Sequence, residues 1–201
     1  MNHSENATRR FRSSVLVAVV VVSSALVGVF VYQSSPSLSS WVARFGDELG
    51  PLVDDGAVPA GVTVFDDGVP SVANLDPDLL GALRRAATDA ADDGLEFVVN
   101  SGWRSPEYQQ QLLRAAVSKY GSEREAARWV ATPNTSAHVS GEAVDIGPTE
   151  AAAWLSRHGA EYGLCQIYAN EPWHYELRPE ANDRGCPPRY ADPTQDPRMQ
   201  Q

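Results

Sequence analysis

The chain has 201 residues, enough for one domain with a sizeable core, and its 43% apolar and 8% aromatic content excludes a fibrous or wholly disordered chain. A net charge of −10 argues against nucleic acid as a partner, because phosphate attraction dominates that affinity.

In chain order, Arg9, Arg10 and Arg12 precede an uncharged apolar run, Val15 to Tyr32. As a helix rising about 1.5 Å per residue it would be roughly 27 Å long, close to the ~30 Å hydrocarbon core of a bilayer. The basic flank predicts residues 1–14 as a cytoplasmic arm and 15–32 as a single-pass transmembrane signal anchor. The rest of the chain would then lie on the extracytoplasmic side of the cell membrane. A cleaved signal peptide is the rival reading. The run exceeds the ~7–15 residues of a signal h-region, and residues 28–32 offer no A-x-A-like site. Both readings take the remainder out of the cytosol.

Residues 33–60 begin Ser/Pro-rich and read as a tether. Val62-Thr63-Val64-Phe65 is strand-like. Asp76-Pro77 is a cap followed by proline at the first helical position, predicting a helix through Leu79, Leu83 and Ala87 that stops near Gly94. Leu95 to Val99 reads as a short strand. Ser105-Pro106 opens another helix, broken at Gly121, and Ser122-Glu123-Arg124-Glu125 has the capping-box pattern for the next.

Thr132 to Gly141 is a polar loop, Ala143 to Ile146 a strand, and Thr149 the cap of a helix ending at His158-Gly159. Trp173 to Leu177 is the last strand candidate, with Trp173, Tyr175 and Leu177 on its core face. Residues 61–190 form the predicted domain and 191–201 a disordered tail. Helices and strands mixed without regular βαβ alternation point to an α+β fold, preceded by the N-terminal transmembrane helix.

Cys165 and Cys186 are an even pair in an exported domain, where disulfides persist. A bridge between them would close a loop of about 20 residues, worth about 3 kcal/mol in the chain-entropy model.

Three separated fragments carry the chemistry: Ser136-Ala137-His138, Val144-Asp145-Ile146 and Glu171-Pro172-Trp173-His174. A catalytic zinc ion takes three protein ligands from His, Asp and Glu and keeps a fourth position open. A nearby carboxylate then moves protons. His138, Asp145 and His174 supply the ligand types. On an ideal strand Glu171 would turn away from His174, but Pro172 displaces it from the ladder, so it can enter from the loop. Glu176, two residues after His174, competes with it on geometry alone. Arg104, rooted between a strand and a capped helix, has a planar fork suited to a carboxylate or developing oxyanion. His3 and His158 stay outside the site.

These fragments resemble the zinc D-alanyl-D-alanine carboxypeptidases of the VanY type, relatives of the hedgehog-like domain. The pattern S-x-H-x-x-G-x-A-x-D is matched by Ser136, His138, Gly141, Ala143 and Asp145. Glu171, Trp173 and His174 match an E-x-x-W-H-like pattern. Ser101, Gly102, Arg104, Ser105 and Gln109 match S-G-Y-R-S…Q, with Trp103 in place of the usual tyrosine.

The resemblance, over roughly residues 75–178, implies a small central antiparallel sheet flanked by helices, one Zn2+ on His138, Asp145 and His174, and Glu171 as base. It also implies that Arg104 polarises the scissile carbonyl, that Ser136 and Gln109 hold substrate, and that the substrate is a peptidoglycan stem peptide. Two rivals share these residues: an endopeptidase of the same fold (L-Ala-D-Glu type), and a non-catalytic wall-binding module stapled by zinc.

Overall fold

Capping side chains at Asp76, Ser105 and Ser122 open three of the helices where the sequence marks them. The computed structural model describes residues 52–200. The arm at 1–14, the predicted anchor at 15–32 and the first part of the tether lie outside the described residues. Helix α1 spans Pro70–Ala73 and α2 spans Pro77–Asp92. The Asp76 carboxylate accepts from the backbone N–H groups of Asp78 and Leu79, satisfying donors that the first turn leaves unpaired.

Helix α3, Pro106–Tyr120, is capped by Ser105 Oγ and ends at Gly121, whose φ of 81° lies in the left-handed region. Helix α4 is a single turn, Glu123–Ala126, capped by Ser122. Helix α5 spans Thr149–His158, with Thr149 inside it and Pro148 at the cap position. Helix α6 spans Ala181–Arg184. Among the described residues, no helix is long and apolar enough to cross a membrane.

Four strands form one antiparallel sheet: β1 (Val98–Ser101), β2 (Ala143–Gly147), β3 (Leu164–Gln166) and β4 (His174–Leu177), in the order β1-β2-β4-β3. The α+β architecture around a small central sheet agrees with the expectation. Val144, Ile146 and Tyr175 point to the face covered by α2 and α5, where they pack with Leu79, Leu83 and Leu155. Burying each leucine contributes about 1.5–3 kcal/mol. Asp145, His174 and Glu176 point to the other face, because alternate residues of a strand face opposite sides.

Several elements differ from expectation. Strand β3 is three residues long, too short to show a period. The Val62–Phe65 run makes one bridge, Thr63 to Val98, in place of a strand. Trp173, expected in the core, lies in the turn before β4 and is 39% exposed. The tail expected to be disordered instead forms two 3-10 turns, Pro193–Gln195 and Pro197–Gln200, with Asp192 and Asp196 buried. It is held by tertiary ion pairs, such as Arg128 to Asp192, which local composition does not reveal. Cys165 and Cys186 form a disulfide.

Candidate active site

Register places the site. Across β2 and β4, Asp145 is the partner of His174, and across β1 and β2 it faces Ser101. Directly opposed residues of antiparallel strands share a face, so Ser101, Asp145 and His174 form one row across the sheet. His138 arrives from the loop before β2. That loop is docked by the Asp76 N–H, which donates to the Gly141 carbonyl. Gly141 has φ +78°, and a Cβ there would sit 2.5 Å from the Asn74 carbonyl oxygen, so only glycine fits.

His138 Nδ1–H donates to the Gly102 carbonyl at 2.8 Å, and the Arg104 N–H donates back to the His138 carbonyl at 3.1 Å. A carbonyl can only accept, so the proton is on Nδ1 and the lone pair of Nε2 faces the site. That Nε2 lies 3.5 Å from Asp145 Oδ1. Glu176 plays the matching part for His174: its Oε1 lies 3.3 Å from Nε2, while His174 Nδ1 sits 3.1 Å from Asp145 Oδ1.

Ligand atoms of His138, Asp145 and His174 all fall within 4.8 Å of one another. Two imidazole nitrogens and a carboxylate converge, with the far nitrogen of each ring tied to an acceptor, the arrangement that orients histidines on a metal. The donor set fits a divalent ion such as zinc.

Glu171 joins this group from the turn. The His174 N–H donates to its carbonyl at 3.1 Å, closing a turn over Pro172-Trp173 that overrides strand alternation. Its Oε2 then lies 3.9 Å from His174 Nδ1. Glu176 sits behind His174, on the side away from Asp145, which separates the two carboxylates that sequence left in competition.

Arg104 is held from three directions: Nε donates to Ser101 Oγ at 2.9 Å, Nη1 to Gln109 Oε1 at 3.0 Å, and Nη2 approaches Asp145 Oδ2 at 3.5 Å. Gln109, expected to hold substrate, is 1% exposed, and its Nε2 donates to the Ala131 carbonyl. Both ends of its amide are therefore occupied within the protein. Ser136 lines the same cleft, together with Trp129, Tyr168 and Trp173.

Electrostatics follow from burial and proximity. Burial pushes Asp145 up, but His138 and His174 outweigh it and hold the carboxyl well below the usual range. Burial lowers His138, and the Arg104 charge adds to the effect. Burial also opposes a charged His174, yet hydrogen bonds to Asp145 and Glu176 push it up to about 9. Burial pushes Glu171 up to about 7; His174 opposes the rise and Asp145 adds to it. A carboxyl near neutrality can both take and return a proton.

The family model for VanY, D-alanyl-D-alanine carboxypeptidase, matches residues 72–180, more than half of the chain. The chain belongs to the VanY family. It is 33% identical to a D-alanyl-D-alanine carboxypeptidase of Enterococcus faecalis (strain ATCC 700802 / V583), over 43% of this chain and 41% of that protein. The matched region thus spans less than half the length of this relative.

Among solved structures, VanYB in complex with D-alanine-D-alanine is 28% identical with a TM-score of 0.50, covering 60% of this chain and 81% of that one. The LdcB LD-carboxypeptidase, whose structure concerns peptidoglycan recognition, is 25% identical with a TM-score of 0.51, covering 63% and 70%.

The sequence reading singled out Glu176 only as a rival to Glu171, although its place two residues after His174 already put both on one face. It missed Ser101 as the anchor of Arg104. Tyr168, whose ring lies 5.2 Å from that of His174, carried no local signal.

Proposed function

We propose that this chain is a zinc-dependent D-alanyl-D-alanine carboxypeptidase that removes the terminal D-alanine from peptidoglycan stem peptides. The observation that carries the reading is the convergence of His138 Nε2, Asp145 Oδ1 and His174 Nδ1, with Glu171 Oε2 beside them. His138, Asp145 and His174 would hold a zinc ion, which would supply the Lewis acidity that brings the pKa of a water towards ~7.

Glu171 Oε2 accepts the proton of the attacking water and returns it to the departing D-alanine amine. Arg104, immobilised by Ser101 and Gln109, offers its unused N–H donors to the scissile carbonyl oxygen as charge develops there. Such a preorganised donor is often worth about 2.7–4 kcal/mol in the barrier. Ser136, on the cleft wall, would contact the peptide, and Gln109 would act through Arg104.

The cleft measures about 110 Å³. That is well below the ~300–1,000 Å³ of pockets that enclose drug-sized ligands, so it suits the end of a peptide. A zinc staple is disfavoured, because structural sites are closed by four ligands, often cysteine. Here both cysteines are tied to each other.

The disulfide also supports an oxidising compartment. Together with the apolar run at 15–32, it favours a membrane-anchored enzyme facing the cell wall.

The test is metal-dependent release of D-alanine from a purified stem pentapeptide, run beside the tetrapeptide that lacks the last residue. Release from the pentapeptide, abolished by chelation and restored by zinc, is expected. Release from the tetrapeptide alone would assign an L,D-bond, and a longer released fragment would assign an endopeptidase.

A further inference from the structure

Glu176 is 1% exposed and touches His174 on the side away from the cleft. Its carboxylate accepts from Arg198 Nη1 at 2.7 Å on Oε2 and from Arg198 Nη2 at 3.1 Å on Oε1, a two-pronged contact. Arg178 Nη2 adds a third donor at 2.6 Å.

Arg198 lies in the last 3-10 turn and is itself aimed. Its backbone N–H and its Nε donate to Asp196 Oδ1 at 2.9 and 3.1 Å. Asp196 is fully buried and also accepts from Tyr168 Oη at 3.0 Å. The Tyr168 ring in turn packs against His174. The C-terminal segment therefore reaches His174 by two routes, one through the Glu176 carboxylate and one through an aromatic ring. Burying a carboxylate beneath two guanidinium groups is a costly way merely to pin a 3-10 turn.

We propose that Arg198 is a positioning residue for the metal centre: by locking Glu176, it fixes the tautomer and ring orientation with which His174 presents Nδ1. The proposal rests on the reading of His174 as a ligand. Arg198 orients the ligand through the carboxylate, Asp196 orients Arg198, and the C-terminal turn becomes part of the site although it contacts no reacting atom. Outer-sphere partners of this kind set metal affinity by about 10–100-fold when removed.

The test is zinc affinity of the full chain by competition with a chromophoric chelator, for wild type, Arg198→Met, Arg198→Gln, Glu176→Gln and the Arg198→Met/Glu176→Gln pair. Thermal unfolding of the metal-free proteins is recorded alongside. Each single variant is expected to bind zinc about 10–100-fold more weakly, and the pair no more weakly than its worse member, since both act on one link. Arg198→Gln, close in size and neutral, serves if the methionine variant does not fold. Wild-type affinity in the folded Arg198 variants, or losses that simply add in the pair, overturns the proposal while leaving the metal site standing. Failure of the wild type to bind zinc overturns both.

Discussion

Asp145 and His174 face each other across β2 and β4, with Oδ1 and Nδ1 3.1 Å apart on the cleft face of the sheet. One register thus places two of the three donor atoms before any loop contributes. His138→Ala and Asp145→Ala should each lose the metal while keeping the fold, because neither side chain belongs to the hydrophobic core cluster. Metal analysis after dialysis checks this; full zinc occupancy in either variant removes that residue from the ligand set.

Glu171→Gln should bind zinc and unfold like wild type while turnover falls by about 10²–10⁴-fold, the usual scale of general acid–base catalysis. Steady-state D-alanine release measures it. Near-normal turnover would refute the assignment of the base.

In the metal-free protein His174 is pushed up to about 9, so below that pH its site nitrogen carries a proton that a metal must displace. Affinity should therefore fall about tenfold per pH unit on going down from 9, and level off above it. Zinc competition between about pH 6 and 8 reads the slope, and a flat profile contradicts the predicted proton displacement.

Arg104→Lys retains a charge but loses the fork held by Ser101 and Gln109. A loss in kcat of about 10²–10³-fold is expected. Gln109→Ala should show a smaller loss that disappears in the Arg104→Lys background. An effect of Gln109→Ala on KM alone, persisting in that background, would instead indicate direct contact with substrate.

Replacing Cys165 and Cys186 together by serine should cost about 2–4 kcal/mol of stability, since the bridge closes a span of 21 residues. Chemical denaturation with and without reductant checks the value. Insensitivity of the wild type to reductant would argue against a structural bridge.

The legible parts of the fold are those that local chemistry decides. Asp76-Pro77, Ser105-Pro106 and Ser122 mark helix starts because an unpaired N–H needs an acceptor wherever it occurs. Strands β2 and β4 are legible from alternating apolar and polar residues, whereas β3, with three residues, is not. The donor types were legible too, since His138, Asp145, Glu171 and His174 stand in fragments whose spacing limits what they can do.

The amino-acid sequence alone determined the chemistry available: two imidazoles, three carboxylates and a guanidinium, on elements several of whose ends it marks. Tertiary structure decided their division of labour. Glu171 and Glu176 are equivalent in composition, yet a turn over Pro172 brings one beside the ligand atoms while strand alternation sets the other behind His174. Likewise only the folded chain brings Arg198, 22 residues beyond Glu176, onto that carboxylate. Ion pairs between distant segments depend on the path of the backbone through space, and no local propensity encodes that path.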